Sequence, residues 1–414
     1  MLFLYKKTLL FLACLLLTHS IAVAQEKIFF EPKSAPGGTQ SDFIEYKNIV
    51  TFETKTASRF DDYSQIIPTG NYYIVQDYSN KKIILFDKKG KYLKHIKYKE
   101  KIGSFRYNEK QNRLEAISQN NMYELGAKDY AQIFEHFDNP KNWKYFRKHY
   151  LDLNDTSHLS FHRQQINGLE MMQAEPFFDD LKIISKVTID KNFEKEEDYE
   201  LKIFRGDTLV KKYLSYNKRN DSRYIYEDFG INVTSTDRAD QKWITRPYDY
   251  MVYLLTPDSL HKVYDFILPL DRAIPFDFYT REFKDKTEKN NYKRQNRKLI
   301  SHFVVNTISN KFLQIRVQTL GYENKGYLFN PKTKVIYDNE KITPDSLTFH
   351  LPLLNNRSYN DGNMYFTKIT AKTALELMAA NKTKNIKYPD ELEAYFKALD
   401  NNTNPVLIFY NYKN

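Results

Sequence analysis

The sequence predicts an all-β fold assembled from repeated four-stranded antiparallel sheets. The 414 residues include 33 Tyr and 29 Phe but 12 Gly, and aromatic residues favour strands. Strand–turn–strand units recur five times, with turns near residues 88, 127, 206, 257 and 331, and an incomplete sixth unit ends the chain. Five complete units and one partial unit predict a single six-bladed β-propeller, in which neighbouring blades bury each other's faces. Helices are expected only near the C-terminus.

Residues 1–24 have the pattern of a signal peptide. Two lysines precede an apolar run over 8–17, and an Ala-Val-Ala cleavage site ends at Ala24. The apolar run is too short to span a bilayer. We therefore predict cleavage that leaves Gln25 as the new terminus, a propeller domain over 25–414, and no transmembrane segment after the leader is removed.

Cys14, the single cysteine, lies inside this leader. The mature chain would then have no cysteine for an internal disulfide or a thiolate metal site. A lipid anchor on Cys14 is the alternative, but Phe11 fits a lipobox poorly and leucines follow the cysteine directly. We predict export to the periplasm or the cell surface without that anchor.

The net charge of +11 could indicate an acidic partner such as nucleic acid or an anionic glycan. Acidic residues are interleaved with the basic ones, which is typical of a solvated surface. The basic run 284–298 would suit an RNA-binding arm in a cytoplasmic protein. In an exported protein we interpret it as a solvated loop and expect no nucleic-acid partner.

The repeating unit is clearest between residues 80 and 96. Apolar runs at 83–86 and 92–96 flank Asp87 and Gly90, which occupy the first and fourth positions of a type I turn. Two further strands, at 63–67 and 72–76, complete this first blade.

Four further units follow with insertions. The predicted strands are 105–107, 113–118, 122–125 and 131–134 in the second unit; 182–190, 198–204 and 208–214 in the third; 230–234, 242–245, 248–255 and 260–267 in the fourth; and 301–307, 312–319, 326–329 and 334–337 in the fifth. Residues 138–180 and 277–298 are interpreted as insertions, the second of them a mobile polar connector.

The sixth unit contains a strand at 363–369, helices over 371–380 and 390–399, and a last strand over 404–413. No return strand follows, while a strand over 43–52 precedes the first complete unit. We predict that these two end segments pair in one sheet and close the ring. Deletion of 404–414 should then destroy the fold, whereas trimming 25–36 should have little effect.

Two segments carry a resemblance to a known family. They are the NHL-like hairpin Phe86-Asp-Lys-Lys-Gly-Lys-Tyr-Leu93 and the C-terminal strand that begins Asn404-Pro-Val-Leu407. Both are similar to those of a six-bladed β-propeller family of exported Bacteroidetes proteins, and the likeness covers most of the mature chain. The resemblance implies an envelope protein and supplies no catalytic residues.

Trp243, Arg246 and Tyr248 form the candidate ligand-binding group, because aromatic rings beside a hydrogen-bonding neighbour suit a sugar ring. The alternative is that Trp243 belongs to the core of a blade. His158 and His162 are the candidate metal ligands, since they would share a face of a helix. The alternative is that both are surface or half-buried histidines, and we predict no metal and no cofactor.

Three triplets resemble O-glycan acceptor sites of exported Bacteroidetes proteins. Asp-Ser and Asp-Thr pairs also form good turns, so both interpretations stay open. The hydroxyl residues are Thr208, Ser259 and Ser346.

The sequence contains no Gly-x-Ser-x-Gly elbow, P-loop or His-Glu-x-x-His motif. The leading hypothesis is therefore a non-catalytic binding or scaffold protein of the envelope, working with nutrient uptake and taking a glycan, a peptide or an envelope protein as partner. The alternative is a carbohydrate-active hydrolase or lyase that uses carboxylates at the propeller funnel.

Overall fold

Six four-stranded antiparallel sheets form the blades of a propeller, which confirms the predicted fold class. The structure is a computed structural model that describes residues 25–99, 102–103, 105–119, 140–164, 166, 175–185, 198–216, 230–276, 278, 281, 283–354, 359–361, 364–400 and 402–413. The leader with Cys14 lies outside the described residues, as do the strands predicted at 122–125 and 131–134. The cleavage site and the domain bounds therefore stay predictions.

Five blades are continuous in sequence. With strands numbered along the chain, blade 1 has β4 (Gln65–Pro68), β5 (Tyr72–Asp77), β6 (Lys82–Asp87) and β7 (Tyr92–Lys97); blade 2 has β8 (Arg106–Asn108), β9 (Arg113–Gln119), β10 (Phe146–Asp152) and β11 (Phe161–Gln164); blade 3 has β12 (Glu175–Pro176), β13 (Leu181–Ile184), β14 (Asp198–Arg205) and β15 (Thr208–Tyr216); blade 4 has β16 (Asn232–Ser235), β17 (Lys242–Thr245), β18 (Met251–Leu255) and β19 (Leu260–Ile267); blade 5 has β20 (Ile300–Thr307), β21 (Leu313–Thr319), β22 (Asn324–Asn330) and β23 (Val335–Asp338).

Blade 6 is built from both end segments. Its strands, in spatial order, are β25 (Tyr359–Asp361), β26 (Met364–Ile369), β27 (Val406–Tyr412) and β3 (Ile44–Thr51). β27 pairs with β3 from Val406 opposite Thr51 to Tyr412 opposite Ile44. The two segments expected to pair therefore do so, and β27 is an internal strand because its other edge pairs with β26.

Blade 2 differs from its prediction. Its third and fourth strands, β10 and β11, come from residues 138–180, which we had interpreted as an insertion. Phe146 and Leu151 of β10 are buried, but the basic and polar residues between them obscure the alternation of a strand. β10 nevertheless pairs with β9 along its whole length.

The four α-helices within the described residues are short. α3 and α4 agree with the prediction, and the Thr370 hydroxyl accepts a hydrogen bond from the Thr373 N–H at the start of α3. Their bounds are α1 (Gln40–Phe43), α2 (Lys286–Gln295), α3 (Ala371–Asn381) and α4 (Asp390–Lys397), and 3-10 turns lie at Glu109–Gln111, Pro140–Tyr145, Thr156–His158, Asn339–Lys341 and Ser346–Thr348.

The interpretation of 284–298 as a solvated loop is wrong, because Lys286–Gln295 form the helix α2. The Asp285 carboxylate accepts a hydrogen bond from the Glu288 N–H and caps the helix. Tyr292 packs against Phe278 and Phe283, with ring centres 5.6 and 5.7 Å away. Because the segment is mostly basic, its composition did not indicate this apolar face, which packs the helix against the propeller.

Residues 25–39 form an N-terminal strap along the outside of blades 4 and 5. β1 (Glu26–Phe29) adds to blade 4 as a fifth strand, parallel to β19. Further on, β2 (Gly38–Thr39) pairs with β24 (Ile342–Thr343), which follows blade 5. The strap then continues through α1 into β3 of blade 6, so one N-terminal segment touches three consecutive blades.

The strap contributes to the core, which contradicts the premise that trimming 25–36 has little effect. Ile28 and Phe30 are both 2% exposed. The Phe30 ring lies 4.8 Å from that of Tyr327 and 6.0 Å from that of Phe303, both in blade 5. A four-residue parallel strand carries too little alternation to be recognised from the sequence.

Close approaches hold the strap in place. A Cβ on Gly37 would lie 2.0 Å from the Lys341 carbonyl oxygen, so only glycine fits there. The Lys341 ammonium donates to the Lys33 and Ala35 carbonyls at 2.9 and 2.7 Å. The strap is thus bound through its backbone as well as through Phe30.

Aromatic side chains fill the junction between blades 6 and 1. Phe52, Phe86 and Phe409 are buried in one cluster there. Asn404 ties the chain ends together, because its side chain accepts from the Phe60 N–H and donates to the Glu53 and Ser58 carbonyls. Both the nitrogen and the oxygen of this buried amide therefore have hydrogen-bond partners.

Candidate functional site

A cavity of about 300 Å³ opens between blades 4 and 5. Because neighbouring strands of a blade are antiparallel, the first strand begins at the face where the second strand ends. The cavity lies at this face, where connections between blades emerge. Its lining residues are Gly230, Asn232, Pro247, Tyr248, Lys293, Ser301, His302, Gln318, Thr319, Leu320 and Tyr322.

Two tyrosines of the lining have left-handed backbone conformations. φ is +59° at Tyr248, in the turn between β17 and β18, and +63° at Tyr322, in the turn between β21 and β22. Bulky residues seldom adopt this region, and such strain concentrates at functional sites. The Tyr248 N–H donates to the Ser301 carbonyl across the blade junction, at 2.5 Å, which holds this turn against blade 5.

Lys293 of α2 brings a cation to the cavity. Its side chain is buried, and its ammonium lies 5.8 Å from the centre of the Tyr322 ring. The position depends on the packing of α2, since the Leu320 and Gly321 N–H groups donate to the Leu299 and Arg297 carbonyls that follow the helix. The connection between blades 4 and 5 is therefore fixed to the turn that carries Tyr322.

His302 and Ser301, at the start of β20, supply polar groups from blade 5. The Ser301 hydroxyl donates to the Gln318 carbonyl at 2.9 Å and lies 3.4 Å from His302 Nδ1. Burial, together with the Arg316 guanidinium, lowers the pKa of His302 below its ordinary value. The imidazole is thus neutral near pH 7, and Lys293 carries the positive charge of the lining.

The three candidate ligand-binding residues face different surroundings. Trp243 is buried between blades 4 and 5, where its indole N–H donates to the Thr307 hydroxyl at 2.9 Å. Arg246 forms a two-point ion pair with Glu200 of blade 3, at 2.6 and 3.1 Å. Tyr248 alone of the three lines the cavity. The structure therefore does not bring the trio together on one surface.

The two candidate metal-binding histidines do not share a helix. His158 ends a 3-10 turn, and its Nδ1 lies 3.1 Å from an Asp155 carboxylate oxygen. His162 lies on β11, with its ring stacked on Tyr150 at 4.9 Å. No group of three or more His, Cys, Asp or Glu side chains suited to a metal ion occurs among the described residues.

The three candidate glycan acceptors all lie at turns. Thr208 and Ser346 are exposed, and Ser259 is half-buried with its hydroxyl 3.1 Å from that of Thr256. Asp345 caps the 3-10 turn that contains Ser346, accepting from the Leu347 N–H. These contacts are those of good turns, and they leave the acceptor interpretation as a prediction.

Sequence reasoning did not identify Lys293, His302, Gln318 and Tyr322 as site residues. The basic run that contains Lys293 was noticed, but its composition gave no indication that one lysine would be buried. His302 and Gln318 face each other across β20 and β21. That pairing depends on the register of the two strands, and no local sequence motif predicts it.

A second, wider groove of about 410 Å³ lies between α3 and α4. Met378, Tyr388 and Phe396 give it an apolar floor, while Lys382, Glu393 and Lys397 lie at its edge. Its lining includes Asn385, which has a φ of +47°, a left-handed conformation that asparagine adopts more readily than tyrosine. Among the described residues, no helix is long and apolar enough to cross a membrane.

Two solved structures are similar to this chain, and the first of them supports the fold. A protein of Bacteroides fragilis described as exported is 16% identical and superposes with a TM-score of 0.55, over 94% of this chain and all of the other. A DUF4221-family member from Bacteroides vulgatus is 8% identical, with a TM-score of 0.41 over 89% and 97% of the two chains.

Comparisons of sequence add no relative. No protein-family model matches the chain. No curated protein matches it either. What the comparisons show is that this chain shares the six-bladed β-propeller fold with an exported protein of Bacteroides fragilis.

Proposed function

We propose that this chain is an exported protein of the bacterial envelope that binds a ligand in the cavity between blades 4 and 5. The observation that carries the proposal is the convergence of Lys293, His302 and two strained tyrosines on one cavity of about 300 Å³. Ligand sites are concave, and few polar groups fix the ligand in them. A glycan or peptide taken up as a nutrient is the ligand class we associate with the site.

Export of this chain is supported by two observations. Residues 1–24 have the pattern of a signal peptide, and the Bacteroides fragilis protein with the same fold is described as exported. The mature protein purified from its host should begin at Gln25. A lipid on Cys14, or an intact leader, would contradict this part of the proposal.

Binding is favoured over the alternative of a carbohydrate-active hydrolase or lyase. Hydrolysis of a glycoside ordinarily needs a pair of carboxyl groups, one of them with a raised pKa. None of the described lining residues is Asp or Glu. The pKa values of Glu115 and Asp61 are lowered by hydrogen bonds from neighbouring side chains, which is the opposite of what a general acid needs.

A thermal-shift panel of saccharides and peptides tests the proposal. The variant Gln318→Trp fills the cavity from β21, while Gln314→Trp places the same ring on the same strand, away from the cavity. A ligand that stabilises the wild type and Gln314→Trp, but not Gln318→Trp, supports the site. Equal stabilisation of both variants would show that the ligand binds outside this cavity.

An assay for reducing ends released from the bound saccharide tests the enzymatic alternative. We expect the saccharide to be recovered intact after long incubation with the protein. If the wild type cleaves the saccharide and Gln318→Trp does not, the cavity is a catalytic site and the proposal of binding alone is wrong.

A further inference from the structure

Exposed hydrophobic side chains concentrate on one face of the propeller. Among the described residues, the four most exposed large hydrophobic side chains are Leu270, Tyr63, Phe276 and Phe29, which are 95%, 86%, 81% and 78% exposed. Exposed hydrophobic residues need no explanation when they are scattered singly over a surface. Here all four lie at the face where the connections between blades emerge, which we call the connection face. Their shared position indicates an interaction surface.

The order of the strands places these residues. Because neighbouring strands are antiparallel, the first strand of a blade begins, and the fourth strand ends, at the connection face. Tyr63 lies two residues before β4, the first strand of blade 1. Leu270 lies three residues after β19, the fourth strand of blade 4, and Phe29 is opposite Ile267 at the end of that strand. Phe276 follows in the connection to blade 5.

The connection between blades 4 and 5 gives this face a positive charge. Residues 281–298 contain eight basic and three acidic residues. Arg297 and Lys298 are exposed, and no ion pair of the described residues includes either of them. Asp285 and Glu288, in contrast, accept hydrogen bonds from backbone N–H groups at the start of α2. The charge left facing solvent beyond the helix is therefore positive.

Hydrogen bonds hold these two cations close to exposed hydrophobic residues. The Arg297 carbonyl accepts from the N–H of the residue before Tyr322, at 3.0 Å, and Tyr322 is 66% exposed. The Arg272 guanidinium donates to the Lys298 carbonyl at 3.4 Å, two residues after Leu270. Hydrophobic and cationic side chains thus lie side by side on the connection face.

This combination fits the surface of an anionic lipid bilayer better than it fits a protein. Binding at a bilayer surface increases with the apolar area that enters the lipid and with the attraction of cations to anionic headgroups. A protein interface is ordinarily centred on a well-packed apolar core from which charged residues are depleted. Leu270 and Phe276 instead protrude from connections, where fluid lipid can surround each of them without a matching pocket.

We infer that the connection face docks on an anionic membrane surface, with Leu270 and Phe276 inserted among the lipids and Arg297 and Lys298 at the headgroups. Docking goes beyond the proposed binding of a ligand and does not depend on a ligand in the cavity. Because the cavity lies at the same face, docking places its opening beside the bilayer.

Co-sedimentation of the mature chain with lipid vesicles tests the inference. The leader is omitted, because its apolar run would itself bind lipid. One set of vesicles contains phosphatidylcholine alone, and the other contains equimolar phosphatidylcholine and phosphatidylglycerol. We expect about tenfold or more tighter binding to the anionic vesicles, since each cation near an anionic surface contributes. High salt should weaken this preference by screening the charges.

Two double variants separate insertion from charge. Leu270→Ser with Phe276→Ser leaves the charge unchanged and should weaken binding to the anionic vesicles about tenfold or more, because two large apolar side chains no longer enter the lipid. Arg297→Gln with Lys298→Gln should reduce the preference for anionic vesicles about tenfold and leave binding to neutral vesicles unchanged.

Leu347 supplies the matched control. It is 69% exposed, and Asp345 beside it accepts from the N–H of Ser41 in α1, just before β3 begins. β3 is the fourth strand of blade 6, so its beginning lies at the opposite face. Leu347→Ser should bind vesicles as the wild type does. With anionic vesicles, Leu270→Trp should gain blue-shifted emission relative to the wild type, and Leu347→Trp should not.

Several outcomes would overturn the inference. Failure to bind either kind of vesicle is one of them. If Leu270→Ser with Phe276→Ser binds as the wild type does and high salt abolishes binding, the net charge alone adsorbs the protein. If vesicles are not bound but sedimentation velocity shows dimers that Leu270→Ser separates, the face is an interface between copies of this chain. Melting curves identify any variant that fails to fold, and the emission of Leu270→Trp then decides.

Discussion

The junction between blades 6 and 1 and the junction between blades 4 and 5 both depend on the N-terminal part of the chain, yet they are built differently. At the first, Phe52 and Phe409 fill the interface and Asn404 ties the two chain ends together. At the second, Phe30 fills the outer part, while the face with the blade connections opens into the cavity that Lys293 lines.

The difference agrees with the proposed function, in which one junction holds the ring together and the other binds a ligand. A closing junction gains most from apolar burial and fully paired polar groups, and it needs no access to solvent. A junction that contains a cavity needs other contacts to hold its blades together. The strap and α2 provide those contacts on either side of the cavity.

Deletion of residues 404–414 should have the largest effect, because it removes the internal strand β27 of blade 6. The ring would open and expose apolar faces of blades 6 and 1 together with unpaired strand edges. We expect loss of the cooperative thermal transition in calorimetry. A deletion variant that melts as sharply as the full chain would show that closure does not depend on this strand.

Phe30→Ala should have the next largest effect. The ring is 2% exposed between blades 4 and 5, and removal of a buried phenylalanine costs about 3–5 kcal/mol. Phe29→Ala is the matched control at the adjacent residue, because Phe29 is 78% exposed and its substitution should change the free energy of unfolding by less than about 0.5 kcal/mol. Urea denaturation compares the two, and equal effects would mean that the strap is not part of the core.

Asn404→Ala should destabilise the protein less. It leaves the Phe60 N–H and the Glu53 and Ser58 carbonyls without this partner, and a buried unsatisfied group costs about 1–3 kcal/mol. The exposed Asn402 serves as the control in Asn402→Ala. Chemical denaturation should separate the two variants, and indistinguishable curves would refute the role assigned to Asn404.

Titration of Tyr264 and Tyr327 should lower the stability of the fold, and only at alkaline pH. Burial raises the pKa of each, at the junction of blades 4 and 5, to about 12. A tyrosine is neutral when protonated and titrates near 10 when unfolded, so its stabilisation is complete below pH 10 and is lost as the pH rises toward 12. The free energy of unfolding should fall over that interval.

An ultraviolet difference titration of the wild type against Tyr264→Phe measures the pKa of this tyrosine directly. Phe30→Ala opens the same junction and should move the titration back toward pH 10. A Tyr264 that titrates near 10 in the intact protein would show that water already enters the junction.

The closing junction could be predicted from the sequence, and the junction that contains the cavity could not. The alternation in 43–52 and the unpaired apolar strand near the C-terminus predicted where β3 and β27 meet. The strap was not recognised from the sequence because Ile28 lies in a parallel strand of only four residues and Phe30 follows that strand, before a loop-like Pro-Gly segment. Its partner, β19, lies more than 200 residues away in the sequence.

The cavity was harder to predict for the same physical reason. Tyr248 was singled out together with Trp243 and Arg246, but the three side chains have different neighbours because Trp243 lies on β17 whereas Arg246 and Tyr248 follow it in the turn before β18. From the sequence, Lys293 was interpreted as part of a solvated loop. Its burial depends on Phe278 and Tyr292, which meet only once α2 is folded against the propeller.

A crystal structure of the mature protein grown with a saccharide or peptide that stabilises it in the thermal-shift panel tests the central claim most directly. The account predicts the ligand in the cavity between blades 4 and 5, in contact with Tyr248 and Gln318. A ligand bound in the groove between α3 and α4, with the cavity between blades 4 and 5 unchanged, would contradict it.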